Sequence, residues 1–325
     1  MSDLIKKIKI KKQDGTYTDY ISIGAEAKNV DVSDGESVEY KLNKKPYYYN
    51  SIVDMKADTK LKVGDMAITL GYYEPNDGGN GEYRIVSGTY ADDEGSYHQL
   101  DNNLFAELII KDNINVKQFG AYGDNTHDDT IFIQNALNCA VKLNKKTLFI
   151  PVGIYCISSS LDMVSDFYHI NIIGENTRNT ILKSISNENI DILKIRGGSG
   201  QDCHNYIKDL TFLGVDDNKT HNMTTNGIHV LGQNGLRIIN CFFTKMKYAI
   251  LLDNTGNNFT EYIIAEDCHF SNYYNCMRLQ RNGTQWSFHG CGLKFCNIQE
   301  SQYSSNVLYI DSGCQLYNGS LDFYI

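Results

Sequence analysis

The sequence predicts an all-β fold: a parallel β-helix, or solenoid, capped by one N-terminal helix and preceded by small β modules. Three observations predict it. Two series of short apolar tetrads interleave through the second half of the chain. One 44-residue stretch, Ile114 to Ile157, runs strand, Gly/Asp turn, amphipathic helix, strand. The composition sets three prolines beside 23 tyrosines and 27 glycines in 325 residues, a turn-rich balance that suits strands better than helices.

The elements follow in order. In residues 1–50, Ile8-Lys9-Ile10-Lys11, a turn at Gln13-Asp14-Gly15 and the apolar positions Tyr17, Tyr20, Ile21 and Ile23 predict a hairpin, followed by a polar linker. Residues 51–112 predict a compact β module. Its strand is Met66 to Tyr73, its turn Pro75-Asn76-Asp77-Gly78-Gly79, and its antiparallel return Glu82 to Val86. Residues 113–325 predict the solenoid. Its cap is a helix over about 129–143, with Ile133, Leu137, Ala140 and Val141 on one face and Asp128 or Asp129 supplying the N-cap oxygen.

After Pro151 the repeats begin. Asp209-Leu210-Thr211-Phe212, Asn240-Cys241-Phe242-Phe243, Asp267-Cys268-His269-Phe270 and Gly290-Cys291-Gly292-Leu293 follow at spacings of 31, 27 and 23. The second series starts at Ile228, Ile250, Met277 and Val307, at spacings of 22, 27 and 30. A period near 22 to 30 residues, built from short strands and Gly/Asn turns, stacks coil on coil. Like residues then line up inside, here Cys241, Cys268 and Cys291 beside Phe212, Phe243, Phe270 and Leu293.

Composition also excludes classes. A formal net charge of −9 argues against nucleic acid as a partner. Nine cysteines with no CxxC read as reduced thiols, several in the core, and stacking explains them without a metal. Lysines at 6, 7, 9, 11 and 12 replace the apolar run of a signal peptide, and no run reaches membrane-spanning length. The expectation is synthesis in a cytoplasm with no signal peptide, no membrane insertion, no cofactor and no metal.

Phe119-Gly120-Ala121, Gly123-Asp124, Asp128-Asp129-Thr130 and Pro151-Val152-Gly153-Ile154-Tyr155 resemble the opening of pectate-lyase-like right-handed β-helix proteins. Gly64-Asp65, Leu70-Gly71-Tyr72-Tyr73 and Asp77-Gly78-Gly79 are similar to a module preceding that β-helix in bacteriophage tail spikes and tail fibres. The basic N-terminus resembles their virion-docking segments. The resemblance implies a virion tail component, a homotrimer joined to a baseplate or tail protein through its N-terminus. It would attach the phage to host surface polysaccharide.

Two readings of the chemistry stand open: a depolymerase, hydrolase or lyase, and a structural or adsorption arm without catalysis. Glycoside hydrolysis needs two carboxylates ~5–9.5 Å apart, which neighbouring coils can supply. The candidates are Asp216 and Asp217 in a polar turn, with Glu261, Glu266 and Asp267. Asp253, His269 and Arg278 are further polar candidates. Asp209 and Asp267 also occupy matching repeat positions with Asn240 between them, which a turn role explains. Tyr273, Tyr274 and Trp286 are candidates for stacking on sugar rings, and Asp128 and Asp129 are assigned to the helix cap.

Overall fold

The computed structural model describes residues 8–11, 17–21, 45–143, 147–165, 170–197, 202–215, 223–299 and 305–324. Two compact units result, Met1–Tyr47 and Tyr48–Ile325. In the first, β1 (Ile8–Lys11) pairs antiparallel with β2 (Tyr17–Ile21), Ile10 opposite Thr18.

A small module opens the second unit. Strands β3 (Tyr47–Tyr49), β4 (Met66–Thr69), β5 (Gly81–Val86), β6 (Tyr97–Gln99) and β7 (Phe105–Leu108) form one sheet, ordered β3-β4-β5-β7-β6. Strand β4 ends at Thr69, earlier than the apolar run suggests. The Asp77 carboxylate accepts the N–H groups of Tyr72, Tyr73, Glu74 and Gly79 at 2.7–3.2 Å and pulls that segment into a turn. A short helix, α1 (Ile52–Lys56), was not anticipated; Ser51 caps it by accepting the Asp54 N–H.

The solenoid is three stacks of parallel strands. The first stack holds β8 (Asn113–Asn115), β10 (Thr147–Ile150), β13 (Ile172–Gly174), β16 (Asp202–Lys208), β19 (Asn234–Ile239), β21 (Glu261–Glu266), β24 (Gly292–Ile298) and β27 (Ser320–Tyr324). The second holds β9 (Asp124–Asp128), β11 (Gly153–Ile157), β14 (Thr180–Ser184), β17 (Thr211–Leu213) and the leading halves of β20 (Phe242–Gly256) and β22 (His269–Gly283). The third holds β12 (Leu161–Ser165), β15 (Asp191–Gly197), β18 (Asn226–Leu231), the trailing halves of β20 and β22, and β25 (Asn306–Ile310). A two-stranded pair, β23 (Ser287–His289) with β26 (Gln315–Tyr317), completes the strands.

Helix α2 (Thr130–Leu143) buries Ile133, Ala136, Leu137 and Ala140 against the first coils. The two acids ahead of it divide their work. Asp128 Oδ1 accepts the Thr130 N–H at 3.0 Å, at the helix start. The Asp129 carboxylate reaches backward to the N–H groups of Tyr122 (2.6 Å) and Gly123 (3.1 Å) and fixes the turn before β9.

Inside the coils, like residues stack. The rings of Phe212, Phe243 and Phe270 are nearly parallel, with centroids 5.0 and 5.2 Å apart, close to the interstrand step of ~4.8 Å. Two expected registers are corrected. Cys268 lies under Cys296, not Cys291, and Phe270 opposes Ile298, not Leu293, because the pairing sets His269 against Asn297. Cys291 belongs to the first stack, one residue before Gly292, which pairs with Ile264. In the second series Met277 opposes Leu308, one residue beyond Val307. Cys139, Cys156, Cys241, Cys268, Cys276, Cys291 and Cys296 are buried free thiols, and Cys314 is a half-buried one.

Corners are made by left-handed residues in register. Asp209 (φ 60°), Asn240 (φ 48°), Asp267 (φ 53°) and Phe295 (φ 52°) turn the chain from the first stack into the second. Asn and Asp tolerate that conformation by bonding locally, whereas other side chains meet a steric cost.

Candidate functional site

The Asp209–Asn240–Asp267 corner forms a ridge with a groove on either side. On the first-stack side the outward rows are Tyr206, Arg237, Ile264 and Gly292, then Lys208, Ile239, Glu266 and Lys294. Gly235 and Gly290 carry no side chain, and a trough of about 650 Å³ opens between Tyr206, Tyr262 and the basic groups of Arg237 and Lys294.

Tyr262 is the unusual residue here. It occupies the position of Gly235 one coil on, at φ 55°, and its ring lies over Gly290. A left-handed non-glycine residue costs ~1–2 kcal/mol, yet this ring remains 55% exposed and gains little packing in return. Phe295, at φ 52° and 52% exposed, shares both features at the neighbouring corner; the place of Tyr262 beside the trough and over Gly290 is what sets it apart. Arg237 Nη1 meets Glu266 Oε2 at 3.2 Å, and both side chains are well exposed. Such a pair contributes little to stability and can exchange for a ligand.

On the second-stack side, a groove of about 440 Å³ is lined by Glu175, Arg178, Asp209, Phe242, Asp267 and His269. Arg178 stands over the Phe242 ring at 5.0 Å, and His269 meets that ring edge-on at 4.8 Å. Burial lowers the His269 pKa; a hydrogen bond to Gln299 opposes this and the Arg178 charge adds to it, so the imidazole is neutral at neutral pH. Asp209 Oδ1 accepts from Asn240 Nδ2 at 2.7 Å. The Asp267 carboxylate is exposed and has no hydrogen bond or ion pair among the described residues.

The sequence candidates fall differently. Glu266 and Asp267 lie together on the ridge, one toward each groove. Glu261 is at the other end of the same strand, ~16 Å from Glu266 at ~3.3 Å per residue, too far to act as its partner. Glu261 Oε1 instead faces His289 Nε2 at 3.9 Å. Asp216 and Asp217 lie outside the described residues. Tyr273 is 4% exposed within the core, so it has no ring face to offer a sugar. Tyr274 is half-buried beside it, and Trp286, 51% exposed, precedes β23 and lines neither groove.

Asp253 and Arg278 lie on the third stack. Asp253 accepts from Gln280 Nε2 (2.9 Å) and Asn282 Nδ2 (2.5 Å), with His229 Nε2 at 3.5 Å. Arg278 pairs with Asp311 at 2.7 Å and covers the Tyr248 ring. These groups satisfy one another and bind coil to coil. One carboxyl, Asp129, is pushed up to about 6 by burial, but it is sealed in the helix-cap turn. Tyr206, Arg237, Tyr262 and Lys294 were not singled out in the sequence. The available signal was an aromatic at a repeat position that otherwise holds Gly or Asn.

Residues 113–214 match a sequence-family model described as Rhamnogalacturonase A/epimerase, pectate lyase-like. That segment is similar in sequence to a pectate-lyase-like solenoid start. Among curated proteins the chain is 36% identical over 111 residues to Alginate lyase 7 of Azotobacter vinelandii, covering 32% of this chain and 13% of that protein. It is 34% identical over 113 residues to mannuronan C5-epimerase AlgE5 of the same organism, covering 32% and 11%. Among solved structures, the tailspike protein gp49 of Acinetobacter baumannii bacteriophage Fri1, a capsular polysaccharide depolymerase, superposes with a TM-score of 0.69. The identity is 14%, over 85% of this chain and 52% of that one. The tailspike of Acinetobacter phage vB_ApiP_P1 gives 0.54 at 14% identity, over 77% and 51%. These likenesses are of fold, and the chain spans about half the length of those tailspikes.

Proposed function

We propose that this chain is a bacteriophage tail-spike or tail-fibre subunit that attaches the virion to its host by holding surface polysaccharide along the Asp209–Asp267 ridge. The observation that carries the reading is Tyr262, a strained and exposed aromatic over a glycine-cleared trough flanked by Arg237 and Lys294. An aromatic face, amides and cations together suit a sugar ring bearing polar or acidic groups. In this reading residues 1–50 dock to a baseplate or tail protein, residues 51–112 are the small β module ahead of the solenoid, and residues 113–325 form the glycan-binding solenoid. Three chains stand side by side in the virion tail. Any cleavage takes place within one groove, by Asp267 with neutral His269 beside it as a proton acceptor, because Glu266 faces the other groove.

The test is incubation with a panel of purified bacterial capsular and wall polysaccharides. Binding is read by retention, and cleavage by reducing ends and absorbance at 235 nm. Binding is expected to fall at least tenfold in Tyr262→Gly, while its thermal stability holds or rises by about 1 kcal/mol because glycine relieves the left-handed strain. Reducing ends without absorbance, lost in Glu266→Gln or Asp267→Asn, assign hydrolysis to the ridge, and absorbance at 235 nm assigns elimination. Binding without either product assigns adsorption alone. Retention of no polysaccharide, or equal retention by Tyr262→Gly, overturns the site.

A further inference from the structure

The loop from Asp92 to His98 gathers three side chains that neither groove uses. The ligand atoms of Asp92, Glu94 and His98 all lie within 4.8 Å of one another. His98 is fully buried, and neither ring nitrogen has a hydrogen-bond partner among the described residues. Its Nδ1 points at Asp92 Oδ1, 3.9 Å away and too far for a hydrogen bond. An orphaned imidazole in a folded interior is costly unless something else satisfies it.

The carboxylates are held ready. Asp92 accepts the Glu94 N–H at 3.0 Å and the Gln99 N–H at 2.9 Å. Glu94 is fixed at φ 54°, and Tyr72 Oη donates to its carboxylate at 3.3 Å. Asp93 ties the loop behind them through the N–H groups of Gly95 (3.1 Å) and Tyr97 (3.0 Å). At the mouth, Lys56 Nζ lies 3.0 Å from Asp92 Oδ2 and 3.9 Å from Glu94 Oε1, an internal cation for two acids. The mouth opens on a groove of about 620 Å³ lined by Ile52, Lys56, Tyr72, Glu94 and Phe132.

We propose that Asp92, Glu94 and His98 form a divalent-metal site, one imidazole and two carboxylates, in which the ion takes the place of the Lys56 ammonium. The donor set suits a borderline ion such as Zn²⁺. Two atoms bound to one such ion stand at most ~4.2 Å apart. The cluster therefore closes slightly on binding, through Glu94, whose side chain is exposed. The site departs from the metal-free expectation of the sequence. Its consequence is mechanical. Gly95 of this loop sits against the Phe119 ring, where an added Cβ would fall 1.9 Å from Cδ1, and Asn135 Nδ2 of α2 donates to the Asp93 carbonyl at 3.0 Å. A bound ion thus stiffens the seam between the module and the solenoid.

The experiment uses the full chain, stripped with chelator and titrated calorimetrically with ZnCl₂, with thermal unfolding in parallel. One saturable ion per chain and a raised Tm are expected. Glu94→Gln, at the rim, weakens binding at least tenfold, and Lys56→Met tightens it because the competing ammonium is gone. Absence of a saturable site in both wild type and Lys56→Met overturns the proposal. So does an affinity unchanged by Glu94→Gln, which would place the ion elsewhere, for example on a cysteine.

Discussion

His229 stands between two carboxylates contributed by neighbouring coils, with Nδ1 2.9 Å from Asp191 Oδ2 and Nε2 3.5 Å from Asp253 Oδ2. Burial pulls its pKa down, but the hydrogen bonds and charges of Asp191 and Asp253 outweigh burial and raise it. Burial likewise opposes ionisation of both acids, and the His229 contact with the amide donors holds them below the ordinary carboxylate range. A raised imidazole contributes stability that is full below its unfolded pKa near 6.5 and is lost as pH climbs through the folded value. Depressed acids contribute above their unfolded values and lose it as pH falls through the folded ones. The triad is therefore strongest in mildly acidic solution. His229→Gln is expected to lower Tm more at pH 5.5 than at pH 9, measured by thermal unfolding at both. An equal drop at the two values would show that the ring serves packing alone. None of this was legible in the sequence, since Asp191, His229 and Asp253 are far apart in the chain and meet only through coil register.

Each coil's strands are short and individually weak, so register is decided by what stacks inside and what turns at the corners. The Phe212–Phe243–Phe270 column was legible because an aromatic recurs after an Asx-x-x step. The next rung was not. Gly290-Cys291-Gly292-Leu293 and Phe295-Cys296-Asn297-Ile298 both offer a cysteine ahead of an apolar residue, and only the second is in phase with Cys268. The local pattern is the same, and the loop lengths that set phase carry no periodic signal of their own. The one-residue slip at Leu308 has the same origin, and in a strand such a slip exchanges the inner and outer faces. Likewise the ridge acids Glu266 and Asp267 were visible as residues, whereas the grooves beside them exist only once the strands are paired. Phe243 has a ring on either side and no exposure. Phe243→Ala should cost ~3–5 kcal/mol by leaving a cavity the neighbouring coils cannot close. The measurement is the urea midpoint, and a loss under 1 kcal/mol would mean that the column is not under tension from its neighbours.

At the scale of the molecule, a solenoid has two ends and each needs a cover. The sequence assigned the N-terminal cover to a single helix and drew the boundary of the β module at residue 112. The packing extends further. Tyr73 Oη donates to the Gly120 carbonyl at 2.8 Å, Asn115 Nδ2 to the Gly78 carbonyl at 3.2 Å, and Gln118 Nε2 to the Asn80 carbonyl at 2.9 Å. Ile85, Leu108, Ile114, Phe119 and Ile133 belong to one continuous buried cluster. Module and solenoid therefore share a core, which short-range patterning could not reveal because its contacts join segments some 40 residues apart. Two truncations separate the possibilities. The chain from Tyr48 onward retains that core and should unfold at the temperature of the full protein. The chain from Asn113 onward uncovers Ile114, Val116 and Phe119, and it should lose several kcal/mol and aggregate, because apolar area of that size is worth ~25 cal/mol per Å². Thermal unfolding and sedimentation of the two fragments decide the matter. An Asn113 fragment as stable and monodisperse as the Tyr48 fragment would make residues 51–112 an independent spacer rather than the floor on which the first coil is built.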